Sequence, residues 1–244
     1  MLARLESRGF DMLTRNHAAA ILSVDFPEVM ADFVLALCDF RLPVSELIGS
    51  GGGEAPSTQR LRRTMSDAGW TKHNFVIETR IDDETRESVS HEIDHVRRTD
   101  QGTLALEIEW NNKDPFFDRD LENFQRLHAQ GVISVGIIVT RGRSLQAGLS
   151  RTISGYLARA GFRDPDDLAH LGIKRRTDRQ MASLNRLTQR GVSFPDAFAK
   201  TFVADKFGTA TTHWSKLEER VERGVGNPCP LLLVGIPEGV IADV

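Results

Sequence analysis

The stretch from Leu104 to Val139 constrains the fold more than any other part of the chain. Leu104, Leu106, Ile108 and Trp110 alternate with Ala105, Glu107 and Glu109, and strand side chains point to opposite faces with period two, so one face is apolar and the other carries both glutamates. Asp114 and Pro115 supply an N-cap and first-turn pair for a helix in which Phe117, Leu121, Phe124 and His128 recur at helical spacing, closed by Gly131. The segment 132–139 (VISVGIIV) is apolar on both faces, the signature of a central strand covered on each side. A strand, helix, strand order of this length requires a parallel pair with a right-handed crossover, which places the chain in the α/β class.

The polar face of the first strand points to chemistry. Glu107 and Glu109 project together, and like charges at that spacing repel unless something offsets them. Asp94 ends a strand-like run (89–96) thirteen positions before Glu107. A divalent cation shared by these acids would relieve the repulsion, and oxygen-only ligation suits Mg²⁺. A half-exposed edge strand with solvated glutamates reads the alternation equally well. Glu92 and Glu78 are further candidate ligands, although Glu92 is expected to face away from Asp94.

The rest of the sequence bounds the function. At 244 residues, 40% hydrophobic and 27% charged, the chain reads as one globular domain, 1–244, with a mainly helical insertion at about 145–228. The charged start Met1–Arg8 and the lack of any long apolar run give the expectation of a cytoplasmic protein with no membrane partner. Cys38 and Cys229 form no CxxC pair or Cys/His cluster, so neither a disulfide framework nor zinc is indicated. The net charge of −3 hides a +7 block at 141–190, against −10 elsewhere, which suits a polyanionic substrate and equally a solvated surface.

Along the chain, 18–24 reads as a short strand, Pro27 opens a helix to about Phe40, and Ser57 N-caps a basic helix that stops at Gly69. Gly49–Ser57 is a loop without the Gly-Lys-Ser/Thr ending of a phosphate-binding P-loop. Strands are expected around 75–77, 89–96 and 230–236, and Thr211 or Thr212 is expected to cap the helix that begins near Trp214. No Gly-x-Ser-x-Gly elbow supports a nucleophilic serine.

Ile93-Asp94, then Leu106-Glu107-Ile108-Glu109, an amphipathic helix and a buried strand together resemble the catalytic core of PD-(D/E)XK nucleases. His17–Pro27 with its following helix, the Leu61–Trp70 segment ending Ala-Gly-Trp, and the closing Pro-Leu-Leu-Leu-Val-Gly-Ile are similar to type II restriction endonucleases of the BglII and BstYI group, with BamHI as a cousin. The resemblance spans about three quarters of the chain and is weakest over 145–205. It implies a restriction-endonuclease-like core, a mixed central sheet flanked by helices. It also implies a Mg²⁺-dependent homodimer cutting double-stranded DNA at a short palindrome, with a cognate DNA methyltransferase in the same cell. Asp94, Glu107 and the Ile108 carbonyl would then hold the metal, with Glu109, where most of the superfamily has lysine, as general base or second-metal ligand. Arg141 and Arg143 are candidates for base edges or phosphate, Lys174, Arg175 and Arg176 for phosphate clamps, and Thr211, Thr212 and His213 for a phosphate or base edge at a helix start. A DNA-binding protein that keeps this fold without hydrolysis, and a structure-selective repair or junction nuclease, remain alternatives.

Overall fold

The computed structural model describes residues 2–49, 55–113, 115–171, 173 and 176–242. The expected cap Asp114, the candidate DNA contacts Lys174 and Arg175, and most of the glycine-rich loop lie outside the described residues.

The chain begins with α1 (Ala3–Glu6), β1 (Asp11–Arg15), α2 (Ala18–Val24), α3 (Pro27–Asp39), β2 (Leu42–Pro43), α4 (Val44–Ile48) and α5 (Pro56–Asp67). The strands β3 (Thr71–Ile81), β4 (Glu84–Thr99) and β5 (Gly102–Glu109) follow, then α6 (Phe116–Ala129) and β6 (Val135–Arg141). The remainder holds α7 (Arg143–Arg159), α8 (Asp178–Thr188), α9 (Phe194–Lys206), α10 (Trp214–Glu222), β7 (Leu231–Ile236) and β8 (Ile241–Ala242). Six strands form one sheet in the order β1-β7-β6-β5-β4-β3, parallel across β5, β6 and β7 and antiparallel elsewhere. The expected mixed sheet flanked by helices is therefore present, with the strand, helix, strand unit at its centre.

The alternation along β5 divides the core. Leu104 and Leu106 join Val139 and Val234 against α3 and α5 on one face, whereas Ala105, Ile138 and Leu233 pack against α6 and α10 on the other. A Cβ on Gly136 would lie 2.3 Å from the Phe124 ring, so glycine there lets α6 approach β6 closely. This contact fixes the height of α6 above the acidic face of β5. A third cluster joins α7, α8 and α9 through Ile153, Leu157, Leu184 and Phe198.

Several local expectations are corrected. Residues 18–24 form a helix, because Ala18 and Leu22, one turn apart, are its buried positions and the alanines favour helix; the strand is β1, just before it. Proline at the first position starts α5 from Ala55, leaving Ser57 in the first turn, buried rather than capping. The residue preceding α10 is His213, in extended conformation, so neither Thr211 nor Thr212 caps that helix. On α6 the buried stripe runs Phe117, Asp120, Leu121, Phe124 and Leu127, with His128 only partly covered.

Candidate active site

Asp94 lies within β4 rather than at a strand end. Thr71 pairs with Val96, but His73 pairs with Ile93, so β4 carries one extra residue opposite Lys72. The bulge breaks the alternation: Ile93 and Val96, three apart, both enter the α6-side core, while His95 lies opposite Leu106. Bulges of this kind re-aim side chains, and here Asp94 comes to line two clefts, of about 790 and 720 Å³. Lys72 Nζ sits 2.7 Å from Glu92 Oε1 and 3.6 Å from Asp94 Oδ1. Glu92 therefore shares a side with Asp94, correcting the expectation, since residues two apart on a strand face the same way. Glu78 pairs with Ser88 out on the β3–β4 hairpin, about 20 Å along the strand from Asp94 at ~3.3 Å per residue, and takes no part in this cluster.

Glu107 and Glu109 share the α6 side of β5, and each is only 4% exposed. The Asp94 amide donates to Glu107 Oε1 at 3.4 Å. Asn112 Nδ2 donates to Glu109 Oε2 at 2.5 Å, and Arg119 Nη2 lies 3.8 Å from Glu109 Oε1. The sequence reading missed Asp120, which is fully buried on α6, with Oδ1 accepting from Arg119 and its carboxyl hydrogen-bonded to that of Glu109; Oδ2 has no other donor among the described residues. Its signal was legible: an acid three residues after Phe117 falls on the helix's apolar stripe, where a charge is costly unless it is used.

These acids hold more negative charge than the fold compensates. Burial, then Asp120, Asp94 and Glu109, hold Glu107 well above the carboxylate range. Burial and the Asp120 charge push Glu109 up to about 8, against the opposing effects of Asn112 and Arg119. Burial also raises Asp120, opposed by Arg119. An oxygen-only donor set whose neighbouring carboxyls share protons to offset their charge fits a hard dication in its chemistry. Among the described residues, however, no three acidic, histidine or cysteine side chains converge as a ready cage; Asp94 is engaged with Lys72.

The expected DNA-contacting residues are placed differently. Arg141 is fully buried: Nε donates to Trp110 O at 2.7 Å, Nη1 to Gln146 Oε1, and Nη2 to Thr211 Oγ1 and Thr212 O at 2.7 and 2.6 Å. Its guanidinium also stacks on Phe207. Arg141, Thr211 and Thr212 thus form an internal knot rather than a surface that DNA could touch. Thr212 N donates to Asn112 O, so the knot anchors the loop whose Asn112 holds Glu109. Arg143 is half exposed but paired with Asp11 and Glu218. The Arg176 side chain is 7% exposed, against Phe198 and Asp205, instead of an open clamp. His213 is partly covered at the start of α10.

The mixed six-stranded sheet flanked by helices places the chain in the α/β class, with buried carboxylates and two clefts at the end of β5. The profile of the Endonuc-BglII family, described as restriction endonuclease BglII/BglIII, matches residues 10–236. The chain belongs to this family and is a restriction endonuclease acting on DNA. No curated protein sequence matches it. No helix among the described residues is long and apolar enough to cross a membrane.

Proposed function

We propose that the protein is a Mg²⁺-dependent type II enzyme that, as a cytoplasmic homodimer, cuts double-stranded DNA at a short palindrome protected by a cognate methyltransferase. The observation that carries this reading is the buried Glu107, Glu109 and Asp120 group beside Asp94, whose raised proton affinities mark charge that the fold leaves unmet. Two-fold symmetry would bring one such centre to each strand of a palindrome.

In this reading Asp94, Glu107 and the Ile108 carbonyl would hold the metal, which when bound supplies Lewis acidity to the scissile phosphate and acidifies a water. Water oxygen adds to phosphorus, the P–O3′ bond breaks, and the products are a 5′-phosphate and a 3′-hydroxyl that takes up a proton. Glu109, ordinarily protonated below about pH 8, is the group on this chain suited to receive the water's proton once deprotonated. Asn112 orients its carboxylate, and the Arg141 knot holds Asn112 in place.

Supercoiled plasmid incubated with and without Mg²⁺ tests the reading. Discrete fragments only with Mg²⁺ are expected, and Asp94→Ala or Glu107→Ala should lower cutting by at least about 10³-fold while leaving DNA binding intact. Wild-type rates in either variant, or metal-independent cutting, would remove the assignment. Sequencing the fragment ends reports the site and the overhang.

A further inference from the structure

The proposed dication offsets at most two of the four carboxylate charges around this centre and the rest repel a phosphodiester, so a cation of the chain in the cleft would ease that repulsion. Among the described residues, the arginines that line the larger cleft beside Glu107 and Glu109 are Arg119 and Arg126, both on α6. Arg126 is an exposed side chain 3.9 Å from Glu122, one turn earlier on the same helix. Lys72 is held between Glu92 and Asp94 and does not line this cleft.

Arg119 is built in differently. Its Nε and Nη2 donate to the same oxygen of buried Asp120, at 3.0 and 2.8 Å, and its guanidinium lies 4.5 Å from the Phe116 ring centre. Nη2 also reaches within 3.8 Å of Glu109. These contacts fix the plane and one edge of the fork, while Nη1 has no partner among the described residues and the side chain remains 54% exposed. A guanidinium held on one edge and open on the other presents paired donors to a phosphate without the entropy cost of ordering a free side chain.

We infer that Arg119 is a catalytic residue, its open edge donating to a non-bridging oxygen of the scissile phosphate, with Asp120 as the positioning residue that orients it. The inference rests on the hydrolytic reading above and assigns that site its positive charge. Position 109, where most of the superfamily has lysine, supplies none here.

The test uses the full chain, first on supercoiled plasmid and then on a duplex oligonucleotide carrying the site mapped from the plasmid ends. Arg119→Ala should lower the single-turnover cleavage rate about 100-fold, the usual effect of removing one transition-state donor, with metal-free duplex affinity changed less than about threefold. Arg119→Lys, which keeps the charge and loses the fork, should fall between the two. Guanidinium chloride at non-denaturing concentration should restore part of the Arg119→Ala rate and none of the Glu107→Ala rate, a rescue that a merely structural role would not give. Wild-type cutting with Arg119→Ala unimpaired, or an Arg119→Ala defect that follows duplex affinity and shows no rescue, overturns the role of Arg119 and leaves the hydrolytic reading standing. A wild-type protein that cuts no DNA with Mg²⁺ overturns both.

Discussion

Two buried charged groups lie on either side of the loop that leaves β5, and they are treated in opposite ways. The Arg141 guanidinium is surrounded by acceptors from Trp110 just after β5, from α7 and from the 207–212 segment, with four donated hydrogen bonds and an aromatic ring beneath it. Glu107, Glu109 and Asp120 crowd together with Arg119 and Asn112 among them, and one Asp120 oxygen has no donor among the described residues beyond the neighbouring Glu109 carboxyl. Complete pairing makes a buried charge part of the scaffold. Incomplete pairing of like charges destabilises the isolated fold, and such a site persists where function uses it.

The sharpest way to break this comparison is to remove charge from each side. Arg141→Met should cost about 3–5 kcal/mol in urea unfolding, because several buried acceptors lose their donor at about 1–3 kcal/mol each. Glu107→Gln should be neutral or stabilising by about 1–2 kcal/mol, since it relieves an unpaired buried charge. Destabilisation by Glu107→Gln as large as that by Arg141→Met would show the two regions to be alike.

The acid cluster also predicts how stability depends on pH. Glu109 is raised from an ordinary 4.5 to about 8, so the folded state binds the proton more tightly than the unfolded chain. Its contribution is fully present below about pH 4.5 and is lost as pH rises through about 8. Metal-free protein should therefore lose several degrees of Tm between pH 5 and 8 on this account, and Glu109→Gln should flatten the slope. Adding Mg²⁺ at pH 8 should restore stability in the wild type. A pH-independent Tm in metal-free protein would mean that the cluster carries no excess charge.

The smallest effect concerns the basic block. Arg141, Arg143 and Arg176 turn inward or pair with acids, so the +7 balance does not become one open face. Neutralising Lys174 and Arg175 together, with inward-turned Arg176 left in place, should weaken binding to all DNA sequences and flatten the salt slope by about one unit for each phosphate no longer neutralised. An unchanged slope assigns the two to solvated surface.

Periodicity read locally was sufficient for much of the site. The β5 alternation placed Glu107 and Glu109 on one face, and the two-faced apolar run gave the central parallel strand, because those patterns depend only on neighbours along the chain. It failed where register or distant partners decide. The side chain of Asp94 is aimed by a bulge, which one strand alone does not reveal. That Asp120 falls on the apolar stripe follows from its spacing after Phe117, but that it meets Glu109 was decided only by the packing of α6 onto β5. Arg141 looked like a loop cation because its acceptors lie 31 to 71 residues away along the chain, except for nearby Gln146.

The sequence by itself determined the α/β class, the strand, helix, strand centre and the identity of the acids on β5, since short-range alternation and helical period dictate them. Tertiary structure alone decided which charges are scaffold and which are chemistry. That distinction depends on burial and on acceptors supplied from remote segments, and the free energy of a buried charge is set by its surroundings rather than by its residue type.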